Sequence, residues 1–233
     1  MSAALSGSAL RLVSAVCTAA AAVIVGAVIV GNSDHLLFIA ALAAFAIVTE
    51  VFDFEPFPNT RISMTIALIV AAATLSDLTG VALLATAAAI ADFAAHPKAP
   101  EKALFNFGAL TLSGAAYVGV MVAFSPDTTV WTAAIWPALI GTLAAYAINS
   151  GLVALAISLD GGDHAVGVWQ ECLTWVLPYY LAMGAAGVSV AVAYERWGFE
   201  AILFLIIPFA VAWPALKLHT HHVTSRAAAN NPT

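Results

Sequence analysis

The sequence predicts an all-α protein, a polytopic transmembrane helical bundle of about eight helices, and three observations carry that reading. Hydrophobic residues make up 63% of the 233 residues and charged residues only 9%, with a mean hydropathy of +0.99. A soluble domain would carry about a quarter charged residues. The apolar runs are also spread from one end of the chain to the other. That pattern excludes a soluble domain with a single anchor or a cleaved signal peptide. Finally, no run alternates apolar and polar residues as a membrane barrel strand does, which leaves helices as the structure that satisfies the backbone in lipid.

The elements follow from where the apolar runs stop. Arg11 precedes a first helix over Leu12 to Val30, closed by Gly31-Asn32-Ser33-Asp34. A second covers His35 to Phe52, and the acidic connector from Asp53 to Asn59 stops it because Pro56 and Pro58 cannot continue a helix. Two short runs come next, Ile62 to Ser76 and Gly80 to Ala95, parted only by Asp77-Leu78-Thr79. Each falls short of the roughly 20 residues that cross a hydrocarbon core upright. They read as helices 3 and 4, either as crossings or as a hairpin that leaves six full crossings. Short, interrupted membrane helices of this kind are where binding sites form.

Helix 5 is expected over Ala103 to Phe124 and helix 6 over Val130 to Ser158, with a kink near Trp136-Pro137. Helix 7 runs from Val168 to Ala193 with Pro178 inside it, and helix 8 from Phe199 to Leu218. Residues 1–218 thus form one transmembrane domain, and 219–233 a polar tail. Eight crossings would place Arg11, Arg61, Lys98, Lys102, Lys217 and Arg226 on one side and Arg196 alone on the other. By the positive-inside rule both termini are cytoplasmic.

Few polar residues interrupt the apolar runs, and those few are the candidates for function. Asp92 lies one turn before the end of helix 4, where the helix dipole disfavours a carboxylate. It reads as part of a clasp with Lys102 and Asn106 that fastens helices 4 and 5, or else as a ligand-contacting cluster. Asn149 in helix 6 is a mid-membrane amide beside Tyr146 and Ser150, suited to a hydrogen bond with a neighbouring helix or to lining a pocket. Trp175, Tyr179 and Tyr180 around Pro178 read as helix packing or an aromatic pocket. Glu50, with Asp53, Glu55 and Arg61 nearby, reads as a solvated acidic loop with one ion pair, or as a mouth for a cationic ligand.

No catalytic motif is present: neither H-E-x-x-H, G-x-S-x-G nor a phosphate-binding G-x-x-x-x-G-K-[ST] occurs. The chain is therefore expected not to be an enzyme and to need no cofactor. Cys17 and Cys172 read as packing residues rather than a disulfide. His219-Thr220-His221-His222 has no acid or cysteine beside it, so no metal site is expected there. No basic patch suits nucleic acid.

One stretch resembles a known module. The runs R-I-S-M-T-I-A-L-I-V-A-A-A, T-G-V-A-L-L-A-T-A-A-A-I-A-D and K-A-L-F-N are similar to the multi-helix membrane region found ahead of bacterial HD-GYP phosphohydrolase and GGDEF cyclase domains. The matching positions are Ser63, Gly80, Asp92, Lys102, Phe105 and Asn106. More distantly, the Gly80 to Asp92 helix resembles the S subunits of energy-coupling-factor vitamin transporters. The first resemblance implies a sensor module in a bacterial inner membrane, binding a small or lipidic ligand among its helices and acting through a partner protein. The second implies a substrate-binding transport component.

Overall fold

The computed structural model describes residues 6–30, 35–51, 54–57, 60–62, 64–96, 99–162, 164–203 and 206–207. Its longer elements are α1 (Gly7–Val30), α2 (Leu36–Val51), α3 (Thr65–Ala95), α4 (Pro100–Phe124), α5 (Trp131–Gly161) and α7 (Leu177–Trp197), with a single helical turn, α6 (Ala165–Val168), before the last. Five helical segments are long and apolar enough to cross a membrane: Gly7–Ile29, Thr65–Ala95, Pro100–Phe124, Trp131–Gly161 and Thr174–Ile202. Segment Leu36–Glu50 is apolar but shorter. Large apolar side chains such as Val28, Ile90, Val122 and Trp136 are exposed on the outside of these helices, as lipid-facing residues are.

α3 holds the centre. Every residue from Thr65 to Ala73 is buried, because T-I-A-L-I-V-A-A-A is apolar or small on all faces and can be surrounded. At Ser76 (φ −141°, ψ 25°) and Asp77 (φ 50°, ψ −135°) the backbone leaves helical geometry and the chain turns back on itself. Gly80 then lies against the Ala72 carbonyl, where any Cβ would collide with it. Ile69 and Val81 accordingly reach the same glycine of α4, Gly114, although a straight helix would hold them about 18 Å apart. The two short apolar runs are thus the limbs of a helical hairpin. Its length alone qualifies α3 as a span, but the first limb, Thr65 to Ser76, rises only about 18 Å against a hydrocarbon core of about 30 Å.

Around this hairpin pack α1, α2, α4 and α7. α7 approaches closely, with Gly187 sitting on the Ala67 carbonyl and the Val70 side chain. Small residues let membrane helices meet backbone to backbone in this way.

The helix ends gather at two ends of the bundle. At the proximal end the start of α1 meets the end of α5, with Ser6 Oγ donating to the Leu159 carbonyl at 2.8 Å and the Ser6 N–H to Asp160 at 3.3 Å. At the distal end the α3 corner meets α1 through Thr79 and the Ala27 carbonyl (3.5 Å). There too Arg196 Nε donates to the Thr129 carbonyl at 3.1 Å, tying α7 to the α4–α5 loop.

Three expectations change. The connector after α2 is an antiparallel hairpin, β1 (Phe54–Phe57) paired with β2 (Thr60–Ile62), so a small strand pair accompanies the helices. Pro137 is carried inside a continuous α5. Pro178, by contrast, is not inside a helix but in the first turn of α7, where its missing N–H costs nothing. Ahead of it the chain passes through a π-helical turn, Trp169–Leu173, and a 3₁₀ turn, Thr174–Val176. Helix 8 beyond residue 207, the tail with its histidines, Lys98 and Ser63 lie outside the described residues.

Two outcomes test this fold. Gly80→Val drives a branched side chain into Ala72, and overpacking of this kind costs about 1–3 kcal/mol. It should lower the melting temperature in detergent, whereas Gly119→Ala, with open space at its Cβ, should leave it level or raise it. In the α4–α5 loop, Asp127 accepts from the Thr129 hydroxyl (2.6 Å) and N–H (2.9 Å), which hold its carboxyl below the ordinary carboxylate range. This contribution is present above the ordinary range and is lost as pH falls through the lowered value. Thr129→Val should return the Asp127 titration, followed by side-chain carbon NMR, toward the ordinary range.

Candidate functional site

The unwinding before α7 has a physical cause and a consequence. Pro178 supplies no N–H to the carbonyl of Thr174, four residues back, and its ring crowds it, so a regular helix cannot run through. The Leu177 N–H turns to the Thr174 carbonyl in a 3₁₀ bond instead of reaching back to Leu173, which leaves the Leu173 carbonyl in need of another donor in a membrane. Tyr146 of α5 provides one, its hydroxyl donating to the Leu173 carbonyl at 3.1 Å. Trp169 Nε1 donates to Ser150 Oγ at 2.8 Å, and Ser150 Oγ to the Tyr146 carbonyl at 2.6 Å. The irregular segment is thereby tied to one stretch of α5.

From there a line of rings leads across the bundle. Tyr146 and Tyr180 meet edge to face at 5.3 Å, Tyr146 and Trp169 stand 6.1 Å apart, and Tyr179 and Tyr180 6.3 Å apart. Tyr146 and Tyr180 are buried, with Ile66, Leu110 and Met183 around them. Asn149 Nδ2 donates to the Tyr180 hydroxyl at 2.6 Å. Tyr179 reaches electrostatic range of Glu50. Glu50, only 9% exposed, accepts a hydrogen bond from the Thr65 hydroxyl at the very start of α3. The cluster therefore joins the end of α2, the start of α3, α5 and the start of α7 at the proximal end.

The cluster offers a buried carboxylate, an amide, several hydroxyls and aromatic faces, but no nucleophile set against a base. Among the described residues no group of three histidines, cysteines or acids could hold a metal ion.

A family model, MASE9, matches residues 27–216, which is most of the chain and all of this cluster. The chain belongs to the MASE9 family. MASE domains are membrane-associated sensor modules and not a catalytic family. No curated protein and no solved structure matches the chain. Most of α1 lies ahead of the matched range, so the family region of this MASE9 chain begins near its distal end.

The residues singled out from the sequence fall into two groups. Tyr146, Asn149 and Tyr179 come together in the cluster. Asp92, Lys102 and Asn106 do not: Asp92 stands 3.6 Å from His96, one turn on along its own helix. Lys102 and Asn106 are exposed, with no side-chain hydrogen bond or ion pair to a described residue. α4 begins at Pro100 rather than Ala103, which puts Lys102 in its first turn and Asn106 in its second. Ser63, the remaining candidate, lies outside the described residues.

Glu50 is the main correction. It is buried against Thr65, not solvated, because α2 packs along α3 and brings its end against the start of that helix. The signal was its position in an apolar run, where a carboxylate needs a partner. Tyr180, Ser150 and Trp169 gave weaker signals, since nothing in their local sequence says which helix they face.

The Asn149–Tyr180 bond gives a direct test. A double-mutant cycle of Asn149→Leu and Tyr180→Phe, read by unfolding in detergent, should return a coupling of about 0.6 kcal/mol and no more than about 1.7, the range of interhelical hydrogen bonds in a membrane. No coupling would mean that the bond does not hold α5 to α7.

Proposed function

We propose that this chain senses a small or lipidic molecule bound within its helix bundle and passes the signal to a partner protein. The observation that carries this reading is the buried polar and aromatic cluster beside the π and 3₁₀ turns that precede α7. Polar groups at membrane depth are costly and mark ligand or relay positions. A helix interrupted by π and 3₁₀ turns is a site where small shifts are accommodated. Membership of a sensor family supports the same reading. The resemblance to modules ahead of HD-GYP and GGDEF domains favours a partner of that kind.

The layout belongs to the proposal as well. α1, α2, α4, α5, α7 and helix 8 make six crossings, and α3 is a re-entrant hairpin entering from the proximal end. Arg11, Arg61 and Lys102 belong to that end and Arg196 to the other, which makes the proximal end cytoplasmic in a bacterial inner membrane. The binding cluster thus opens toward the side where a partner would act. Asp92, Lys102 and Asn106 are proposed as a second polar patch around the α3–α4 turn, and Ser63 as a ligand contact on the strength of its sequence match alone.

Native mass spectrometry of protein purified in mild detergent tests the reading. The wild type should retain a specific molecule that Glu50→Gln and Tyr180→Ala lose while keeping the wild-type circular dichroism spectrum. If the wild type carries only bulk lipid, in the same proportion as both variants, the ligand-binding proposal fails.

A further inference from the structure

A second cluster lies at the distal end, away from the binding site. His35 forms the turn before α2 in a left-handed conformation (φ 64°), and its Nε2 stands 3.6 Å from Oε1 of Glu195 in the last turn of α7. Both side chains are about a quarter exposed, at 29% and 26%, so protons reach them from the aqueous side. The imidazole also meets the Tyr194 ring edge to face at 5.2 Å, and Tyr194 stacks on Phe38 of α2 at 4.0 Å. Phe38 in turn meets Phe199, in the 3₁₀ turn after α7, at 5.7 Å. The histidine is thus held by aromatic packing whether or not it is charged, and the ion pair adds to that contact only when it is.

We propose that His35 and Glu195 form a proton-gated latch that ties the α1–α2 turn to the end of α7. Histidine is the side chain whose ordinary titration range falls between pH 5 and 8. When protonated it gains the Glu195 carboxylate, the attraction of an aromatic ring for a nearby cation, and the negative end of the α7 dipole. The sign follows: the latch is closed when the imidazole carries its proton and loosens when it gives that proton up, so the contact weakens as pH rises. α7 spans the bundle from the latch to the Tyr180–Asn149 bond, and of these two contacts only the latch depends on pH.

The other ionisable groups at this end are accounted for. Arg196 is directed to the Thr129 carbonyl, and Asp127 is held by Thr129. Asp77 is at the α3 corner, and Glu200 follows α7 in the 3₁₀ turn. Asp34, next to His35 in sequence, lies outside the described residues.

The test is hydrogen exchange with mass spectrometry on the full chain in nanodiscs at pH 6 and pH 8, corrected for intrinsic exchange rates. His35→Asn suits the left-handed backbone, since Asn tolerates positive φ. Glu195→Gln removes the charge and leaves His35 in place. In the wild type the opening of residues 35–40 and 192–200 should rise about two- to five-fold from pH 6 to pH 8, the effect of a partly exposed ion pair. Both variants should abolish that difference. Equal protection of the wild type at the two pH values overturns the latch, as does an undiminished pH response in either variant. Retention of a bound molecule at the proximal cluster is a separate readout, so the failure of one proposal leaves the other standing.

Discussion

The structure depends on the reversal at Ser76 and Asp77. A membrane helix that is apolar on every face has no preferred orientation toward lipid, and burying the first limb of α3 requires neighbours on all sides. The reversal supplies one of them, the second limb, within a few residues of chain. The cost is backbone outside regular geometry, which a bilayer tolerates only where protein or water satisfies it. Here Thr79 meets the Ala27 carbonyl near the end of α1, and Asp77 is exposed. At Asp77 the pair φ 50°, ψ −135° lies outside the left-handed helical region that Asp tolerates, so the corner is held by the packing around it. Gly80, directly after the corner, allows the limbs to close onto each other without a Cβ between them.

With that hairpin in the middle, the remaining irregularities collect at its two ends. Proximally, Pro178 forces the chain open before α7, and the hydroxyl and indole donors of Tyr146 and Trp169 keep the opened segment against α5. Thr65, the first residue of the buried limb, is also the donor to Glu50. A change at the cluster would therefore act directly on the element the bundle is packed around. Distally, the contacts are fewer and more exposed, between a loop, a turn and a helix end. Local opening has its lowest free energy in such places, which suits a reversible contact there and a stable framework between.

The sequence and the tertiary structure contributed different things, and particular residues show why. Oil as the solvent, the helical class and the tight corner between two short runs were all readable from composition and run length, because hydrophobic matching to the bilayer is a property of the chain itself. Asn149 and Tyr146 stood out for the same reason, as polar groups where lipid should be. What the linear pattern could not say was which helix each would face. Asp92, Lys102 and Asn106 are close in sequence, yet Asp92 stands beside His96 on its own helix while Lys102 and Asn106 are exposed on α4. Glu50 and Thr65, or His35 and Glu195, meet only once helices distant in sequence have docked. The chain by itself determined the solvent and the elements; the packing of apolar helices against one another, which has no signature in local sequence, decided which polar groups share a site.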